Sequence, residues 1–494
     1  MPKYIRLSPQ DASFIYAESP VAHMHVGSLA IFEDSGLSQE ELNRHIDRRL
    51  DQIPQFRRKL KEVLYGLGRP VWVDDPNFDV RYHVRHAGLS RPGGEKELLT
   101  LVGRLMSMRL DRKRPLWELW LVDLPGKRKA IIQKTHHALI DGISGVDLAT
   151  VLLDFMPEAD SGAENSSWAP EAPPNPLVLL RDSVIDQIAQ PVKAVQSVAG
   201  VLRSPARLWD QVATVGKGVA SFGREALDVA PRTSLSKPIG GHRRFDIVRA
   251  SLADVKQVKN AAGCTVNDVV LGLVAGGLRH LLLSRGDEVE GLTMRAAVPV
   301  SVRDESQRMK YGNQVAVLFA DLPVGEADPA TRLARVAEQM AHVKESREAV
   351  GAEALIKLAD FAPPTILSLG SQAIFSRQWV INLTVTNVPG PQFPLYFRGG
   401  KMLEVFPFVP LLNNTPVGIA VLSYDGQLSF GLSGDWDAMA DMDTLAEGIT
   451  ECLAAHLGRK PQGYSVAESA TSDTNADETP QGSPKAAVES SSEG

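Results

Sequence analysis

Cysteine is nearly missing from this chain: Cys264 and Cys452 are the two in 494 residues. That is too few for a disulfide framework and fits a reducing compartment such as the cytosol. The opening residues, MPKYIRLSPQDASF, contain no apolar core of roughly 7–15 residues, as a secretory signal requires. Long hydrophobic runs are missing too. The nearest, residues 266–283, is interrupted by Asn267, Asp268, Arg279 and His280 and reads as a buried helix rather than a membrane span. The expectation is a cytoplasmic chain, soluble or resting on the inner face of a membrane or on a lipid droplet without crossing it. No excess of positive charge is present: the net charge is −6 and the pI near 6.0, which gives nucleic acid no footing. Neither an HExxH string nor paired cysteines occur, so a metal site is not expected.

What is there is ordinary in bulk, with 44% apolar and 23% charged residues, and long enough for two or three domains. One stretch stands out, Thr135-His136-His137-Ala138-Leu139-Ile140-Asp141-Gly142. The β-branched residues 129–134 before it predict a strand, and the apolar spacing over residues 143–155 after it predicts a helix. Two imidazoles therefore sit at a strand end, where side chains are held rigidly and face a cleft. An imidazole titrates near neutrality and can take a proton from a hydroxyl. Neighbouring strand residues point to opposite faces, so His136 and His137 cannot both enter one cleft if the strand continues; one is the base and the other packs or orients. Asp141 is placed to fix local geometry, and Gly142 permits a positive φ or a close backbone approach.

Further short motifs follow a fixed order around HHxxxDG: Leu7-Ser8-Pro9-Gln10-Asp11, Met24-His25-Val26-Gly27, Arg114-Pro115-Leu116-Trp117, Asn267-Asp268, Asn387-Val388-Pro389-Gly390-Pro391 and Ser423-Tyr424-Asp425-Gly426. Together they resemble the bacterial wax ester synthase/acyl-CoA:diacylglycerol acyltransferase family over roughly residues 4–460. The resemblance implies an α/β fold of two chloramphenicol-acetyltransferase-like domains, with mixed β-sheets flanked by helices and a central substrate channel. It implies that His137 is the general base, that His136 packs or orients, and that Asp141 holds the loop with Gly142. It places the Asn267-Asp268 pair at the active site, where the Asn267 amide could serve the oxyanion or the substrate, while Asp268 reads as a structural first-turn acid. Thr384 and Thr386 alternate onto one face of a strand beside the channel and could bond substrate or backbone. The substrates implied are acyl-CoA, as a co-substrate with no resident cofactor, and a diacylglycerol or long-chain alcohol. The rivals are a condensation-type transferase fed by carrier-bound thioesters, a non-catalytic protein of the same fold on a lipid surface, and a small-molecule acetyltransferase.

Along the chain, residues 1–155 read as the first acyltransferase domain, with a strand at 26–32 and a capping box, Ser38 and Glu41, opening a helix. Residues 55–65 are basic and read as an amphipathic helix, solvated or touching anionic lipid. A hairpin of 117–122 and 129–134, turned by Pro125-Gly126, presents the histidines; His23 and His25 share a face near the cleft in a structural role. Residues 156–240 comprise a Pro-, Ser- and Ala-rich linker and a helical crossover. The second domain, 241–460, is expected to hold strands at 244–252, 294–302, 313–322 and 380–388, helices at 252–262, 265–283 and 330–348, and a hairpin around Tyr424-Asp425-Gly426. The apolar stretch 352–375 could line an acyl channel or fill the core, and residues 461–494 read as a disordered acidic tail.

Overall fold

The computed structural model describes residues 4–139, 152–158, 168–185, 229–301, 315–345 and 380–460. Most of the helix expected over 143–155 (residues 143–151), most of the crossover, the 352–375 stretch and the tail lie outside the described residues. Three sheets organise what is described. Strands are numbered β1 Ile5–Arg6, β2 His25–Glu33, β3 Arg58–Lys61, β4 Val71–Asp74, β5 Val84–Ala87, β6 Trp117–Leu124, β7 Arg128–His136, β8 Arg243–Ser251, β9 Met294–Ser301, β10 Val315–Leu322, β11 Leu383–Pro389, β12 Tyr396–Phe397, β13 Gly400–Phe408, β14 Val417–Tyr424 and β15 Gln427–Asp435.

The first large sheet has the order β12-β13-β2-β7-β6-β5 and the second β10-β9-β11-β14-β15-β8; a small sheet runs β1-β4-β3. Both large sheets are mixed, with β5 parallel to β6 and β11 parallel to β9 and β14 among antiparallel neighbours. This is the expected α/β architecture. The outer strands β12 and β13 of the first sheet come from residues 396–408, far along the chain, and β13 runs antiparallel to β2. No motif signalled that exchange, because the run Gly400–Phe408 carries no turn or charge marker of its partner.

The second sheet packs on the helices Val266–Ser284 and Met442–His456, with Leu271, Val274, Leu278, Val385, Ile419 and Phe430 in one buried cluster. Helix Val266–Ser284 is long and apolar enough by composition to cross a membrane, and here it is the core helix of the second half. Its contact with Met442–His456 is close: a Cβ on Gly276 would stand 2.5 Å from Cys452 Sγ, and one on Gly448 would stand 3.0 Å from Gly277 Cα. A third cluster joins the halves, where Phe245 and Ile247 of β8 meet Phe406 and Phe408 of β13 and Leu98 and Val102 of helix Glu95–Ser107.

The expected hairpins form. Leu124 pairs with Arg128 around Gly126, whose φ of 74° suits glycine, and Tyr424 pairs with Gln427 around Asp425 and Gly426 at φ 42° and 81°. Helix Gln39–Arg49 opens with the Ser38/Glu41 capping box. One expectation fails: residues 55–65 are not a helix but a 3-10 turn, strand β3 and a second turn, Leu64–Gly66. The basic residues prefer fixed partners to a solvated helix face: Arg57 is 1% exposed with Asp47 and Asp51 beside it, while Arg58 pairs with Asp74 of β4 and Lys59 with Asp75 just after it. The described part of the expected linker is docked on this small sheet, with Pro174 O accepting from Lys61 Nζ at 2.9 Å and Trp168 under the Arg57 guanidinium.

Candidate active site

Strand β7 stops at His136, and the stop creates the site. The His136 N–H donates to Leu116 O at 2.9 Å, still within the sheet, but the His137 N–H donates to Met24 O at 2.8 Å as a 3-10 turn begins over His137–Leu139. The Ala138 N–H then donates to His136 Nδ1 at 3.1 Å, so the first histidine caps the turn that carries the second. His136 is 1% exposed, whereas His137 is half-buried. The two rings thus differ in exposure, with His137 the more open to solvent.

The wall behind His137 comes from the first helix, Pro9–Ala17. Ser8 caps it, its Oγ accepting from the Asp11 N–H at 3.1 Å and meeting Asp11 Oδ2 at 2.6 Å, with Pro9 at the first helical position. That is the physical content of the Leu7–Asp11 motif. From this helix Phe14 stacks on the His137 ring, with centroids 3.9 Å apart and planes 22° from parallel. Gly27 explains the Met24–Gly27 motif: a Cβ there would run into Gln133 O and the Met106 methyl.

Beneath His136 lies a buried polar cluster. Glu18, 3% exposed in its side chain, stands 3.9 Å from His136 Nε2 and 3.6 Å from His25 Nε2. Arg112 grips its carboxylate through Nη2 at 2.5 Å and Nε at 3.0 Å, and Arg109 through Nη2 at 3.2 Å. Burial pushes the His136 imidazole down to about 3, helped by the charge of Arg112, with Glu18 opposing. His25 is driven well below its ordinary value by burial and by Lys134, and His23 is lowered too, mainly by burial. Burial acts to raise the Glu18 carboxyl; its positive neighbours more than offset that and hold it below the usual range. With His136 neutral, we attribute this lowering to the guanidiniums. His23 and His25 stand with ring centroids 5.4 Å apart. Among the described residues no cluster of His, Cys, Asp and Glu has the makings of a metal site.

Of the other predicted residues, Asp141 and Gly142 lie outside the described residues. Asp268 caps a helix: its Oδ2 accepts the Thr265 N–H at 2.8 Å and its own N–H donates to Thr265 Oγ1 at 3.2 Å, the capping box of helix Val266–Ser284. Asn267 meets Asn387, whose Nδ2 donates to its Oδ1 at 3.5 Å. Alternation along β11 puts Leu383 and Val385 into the helix-side core, and Asn387 on that same side. Thr384 and Thr386 take the opposite face, opposite Gly418 and Ala420 of β14. That face looks to the first half, since Leu422 and Tyr424, in alternation with Gly418 and Ala420, join the cluster of the first sheet. The structure therefore joins Asn267 to Asn387 and separates both from the threonine pair.

Phe14, Glu18, Arg109 and Arg112 escaped the sequence reading. A signal for one of them was present: Phe14 falls within the helix that Ser8-Pro9 opens, and Glu18 closes that helix as its C-cap. The motif Arg114–Trp117 is architectural, with Trp117 buried and its Nε1 donating to Phe56 O at 2.7 Å. Tyr424 of the Ser423–Gly426 motif donates to Met402 O at 3.1 Å and accepts the Leu395 N–H at 2.8 Å, tying β14 to β13.

Comparison with known proteins bears on the family and the fold. Residues 7–270 match the wax ester synthase/diacylglycerol acyltransferase catalytic domain, and residues 311–455 the C-terminal domain of the same family. A probable diacylglycerol O-acyltransferase, tgs1, of Mycobacterium tuberculosis is 32% identical over 454 residues, 91% of this chain and 95% of that one. A putative diacylglycerol O-acyltransferase of the same species is 32% identical over 459 residues, 91% of this chain and 89% of its own. Among solved structures, the wax ester synthase/diacylglycerol acyltransferase of Marinobacter aquaeolei superposes with a TM-score of 0.64 at 26% identity, covering 92% of this chain and 100% of that one. The first condensation domain of the calcium-dependent antibiotic synthetase shares the fold, with a TM-score of 0.57 at 17% identity over 93% of this chain and 97% of its own. The motifs, the fold and these relatives agree: the chain belongs to the wax ester synthase/diacylglycerol acyltransferase family.

Proposed function

We propose that the protein is an acyl-CoA-dependent O-acyltransferase with His137 as its general base, forming triacylglycerol from diacylglycerol or wax ester from a long-chain alcohol. The observation that carries this is the division of labour between the histidines: His136 is buried and neutral, while His137 is accessible, fixed by its backbone N–H to Met24 and stacked on Phe14. His137 removes the proton of the acceptor hydroxyl as its oxygen adds to the thioester carbonyl. The tetrahedral oxyanion collapses, the C–S bond breaks, and the departing sulfur takes the proton back from the imidazolium, leaving ester and coenzyme A thiol. Proton transfer of this kind is worth roughly 10²–10⁴-fold, the remainder coming from positioning and oxyanion contacts. The face taken by β11 favours Thr384 and Thr386, which look toward the first half, over Asn267 for contacts to substrate. Acyl-CoA enters as co-substrate, and proton transfer with oxyanion stabilisation asks for no resident cofactor.

We place the enzyme on a lipid surface on the inner side of the cell. Phe155, Met156 and Phe393 are 57%, 67% and 47% exposed, and the two rings lie 5.9 Å apart. The segments that carry them are joined by the paired Asp154 and Tyr396, with Arg398 on the turn between β12 and β13. Apolar side chains so presented gain by entering a lipid phase.

The test offers a long-chain acyl-CoA with dioleoylglycerol and with hexadecanol to the wild type and to His137→Ala, following thiol release and ester together. His137→Ala is expected to lose at least about 100-fold in rate, and His136→Ala less. Equal rates for His137→Ala and wild type reject the mechanism, and the ester ratio decides the acceptor. Separately, Phe155→Ser/Phe393→Ser is expected to lower co-sedimentation with diacylglycerol-containing vesicles, and unchanged sedimentation rejects this surface.

A further inference from the structure

We propose that Glu18 is a positioning residue for His137, acting through His136: its carboxylate selects the His136 tautomer whose Nδ1 holds the Ala138 N–H. This rests on the assignment of His137 as base. An Nδ1 that accepts at 3.1 Å carries no proton, so the neutral ring carries its proton on Nε2. The carboxylate facing Nε2 is Glu18, 3.9 Å away. The other tautomer would set two N–H groups against each other at Ala138 and release the turn that holds His137 against Phe14.

Glu18 is itself held on both sides by charge. Arg112 and Arg109 hold its Oε2, and Arg112 Nη2 also donates to Ile15 O at 3.0 Å, which ties the clamp to the helix that carries Phe14. The other charged or titratable groups packed around the cluster are His23 and His25 from the segment entering β2, Lys134 from β7 and Arg243 from β8. Lys134 has Glu118 at 3.2 Å and Arg243 has Asp435 at 3.9 Å, so among the described residues Glu18 is the charge that answers Arg109 and Arg112. It thereby does two things for His137: it fixes the turn beneath it and offsets two cations that would otherwise disfavour the imidazolium formed during reaction.

The experiment measures kcat, KM for acyl-CoA and the pH profile of kcat for wild type, Glu18→Gln, Arg109→Gln and His137→Ala, with the folded fraction of each taken by circular dichroism. Glu18→Gln is expected to lower kcat by about 10- to 100-fold with KM little changed, and to move the acid limb of kcat to lower pH. Arg109→Gln, at a half-exposed position, is expected to move that limb to higher pH. Packing alone cannot produce shifts of opposite sign. Limbs that stay where the wild type has them, or that move in the same direction, overturn the proposal, as does a loss in Glu18→Gln that merely follows its folded fraction. Should Glu18→Gln fail to fold, Arg109→Gln alone decides by the position of its limb. Activity retained by His137→Ala would instead reject the base assignment on which the proposal rests.

Discussion

Phe14 fixes the His137 ring by a face-to-face contact 3.9 Å deep, and a ring pair of this kind is worth about 0.5–1.5 kcal/mol beyond its buried area. Phe14→Ala is therefore expected to cost a few-fold to about ten-fold in kcat with the fold intact, checked by steady-state rates alongside a thermal melt. A second consequence at this scale concerns acid. His136 titrates near 3 and His83 near 4 in the folded chain, both lowered chiefly by burial. An unfolded histidine titrates near 6.5, so below that pH the unfolded state binds more protons than the folded one. The stabilisation is whole above about pH 6.5 and is lost as pH falls toward the folded values, at about 1.4 kcal/mol per unit for each histidine. Urea unfolding at pH 7.5, 6 and 5 should show the midpoint dropping, and a flat response would contradict the buried neutral state. The place of the histidine pair was legible, because the β-branched run before it marks a strand that ends there; which of the two serves as base came from the family resemblance. Its support was not: Glu18, Arg109 and Arg112 reach the cluster from separate segments, and no local spacing announces an encounter made only in three dimensions.

At the level of elements, periodicity served well wherever one face is buried. Strand β7, the β14–β15 hairpin and helix Val266–Ser284 fall where alternation, a turn pair and a Thr265 cap put them. It misled at residues 55–65, where apolar spacing suited a helix but Arg57, Arg58 and Lys59 are each drawn to an acid on a neighbouring segment. A sequence reading has no view of those distant acids. Motifs that resemble site markers prove in part to be joints: Tyr424 spends its hydroxyl on β13 and the chain before it, and burial raises its phenol to about 12. Tyr424→Phe leaves a buried N–H and a carbonyl without that partner, and should cost about 1–3 kcal/mol in a denaturant titration with little change in kcat.

Across the whole molecule, the two halves share strands rather than merely touching. The first sheet closes on β13 from residues 400–408, and the aromatic seam of Phe245, Phe406 and Phe408 lies between the halves. A fragment of residues 1–240 would leave β2 with an open edge, and such edges invite association. That fragment is expected to aggregate when expressed alone and to recover solubility when residues 229–460 are supplied with it. A soluble, monomeric 1–240 fragment would show that β13 is dispensable. The full chain should unfold in a single transition by tryptophan fluorescence and far-ultraviolet circular dichroism alike.

The borrowed strand also sets a clock. A ribosome makes the catalytic hairpin β6–β7 early, yet the partner that flanks β2 on its other side emerges only after residue 408 has been added. Until then the histidines stand on a sheet missing its outer strands. Acyl transfer thus becomes available to the cell only when nearly the whole chain has been translated, and an abandoned half-made chain carries the histidines without a completed sheet to aim them.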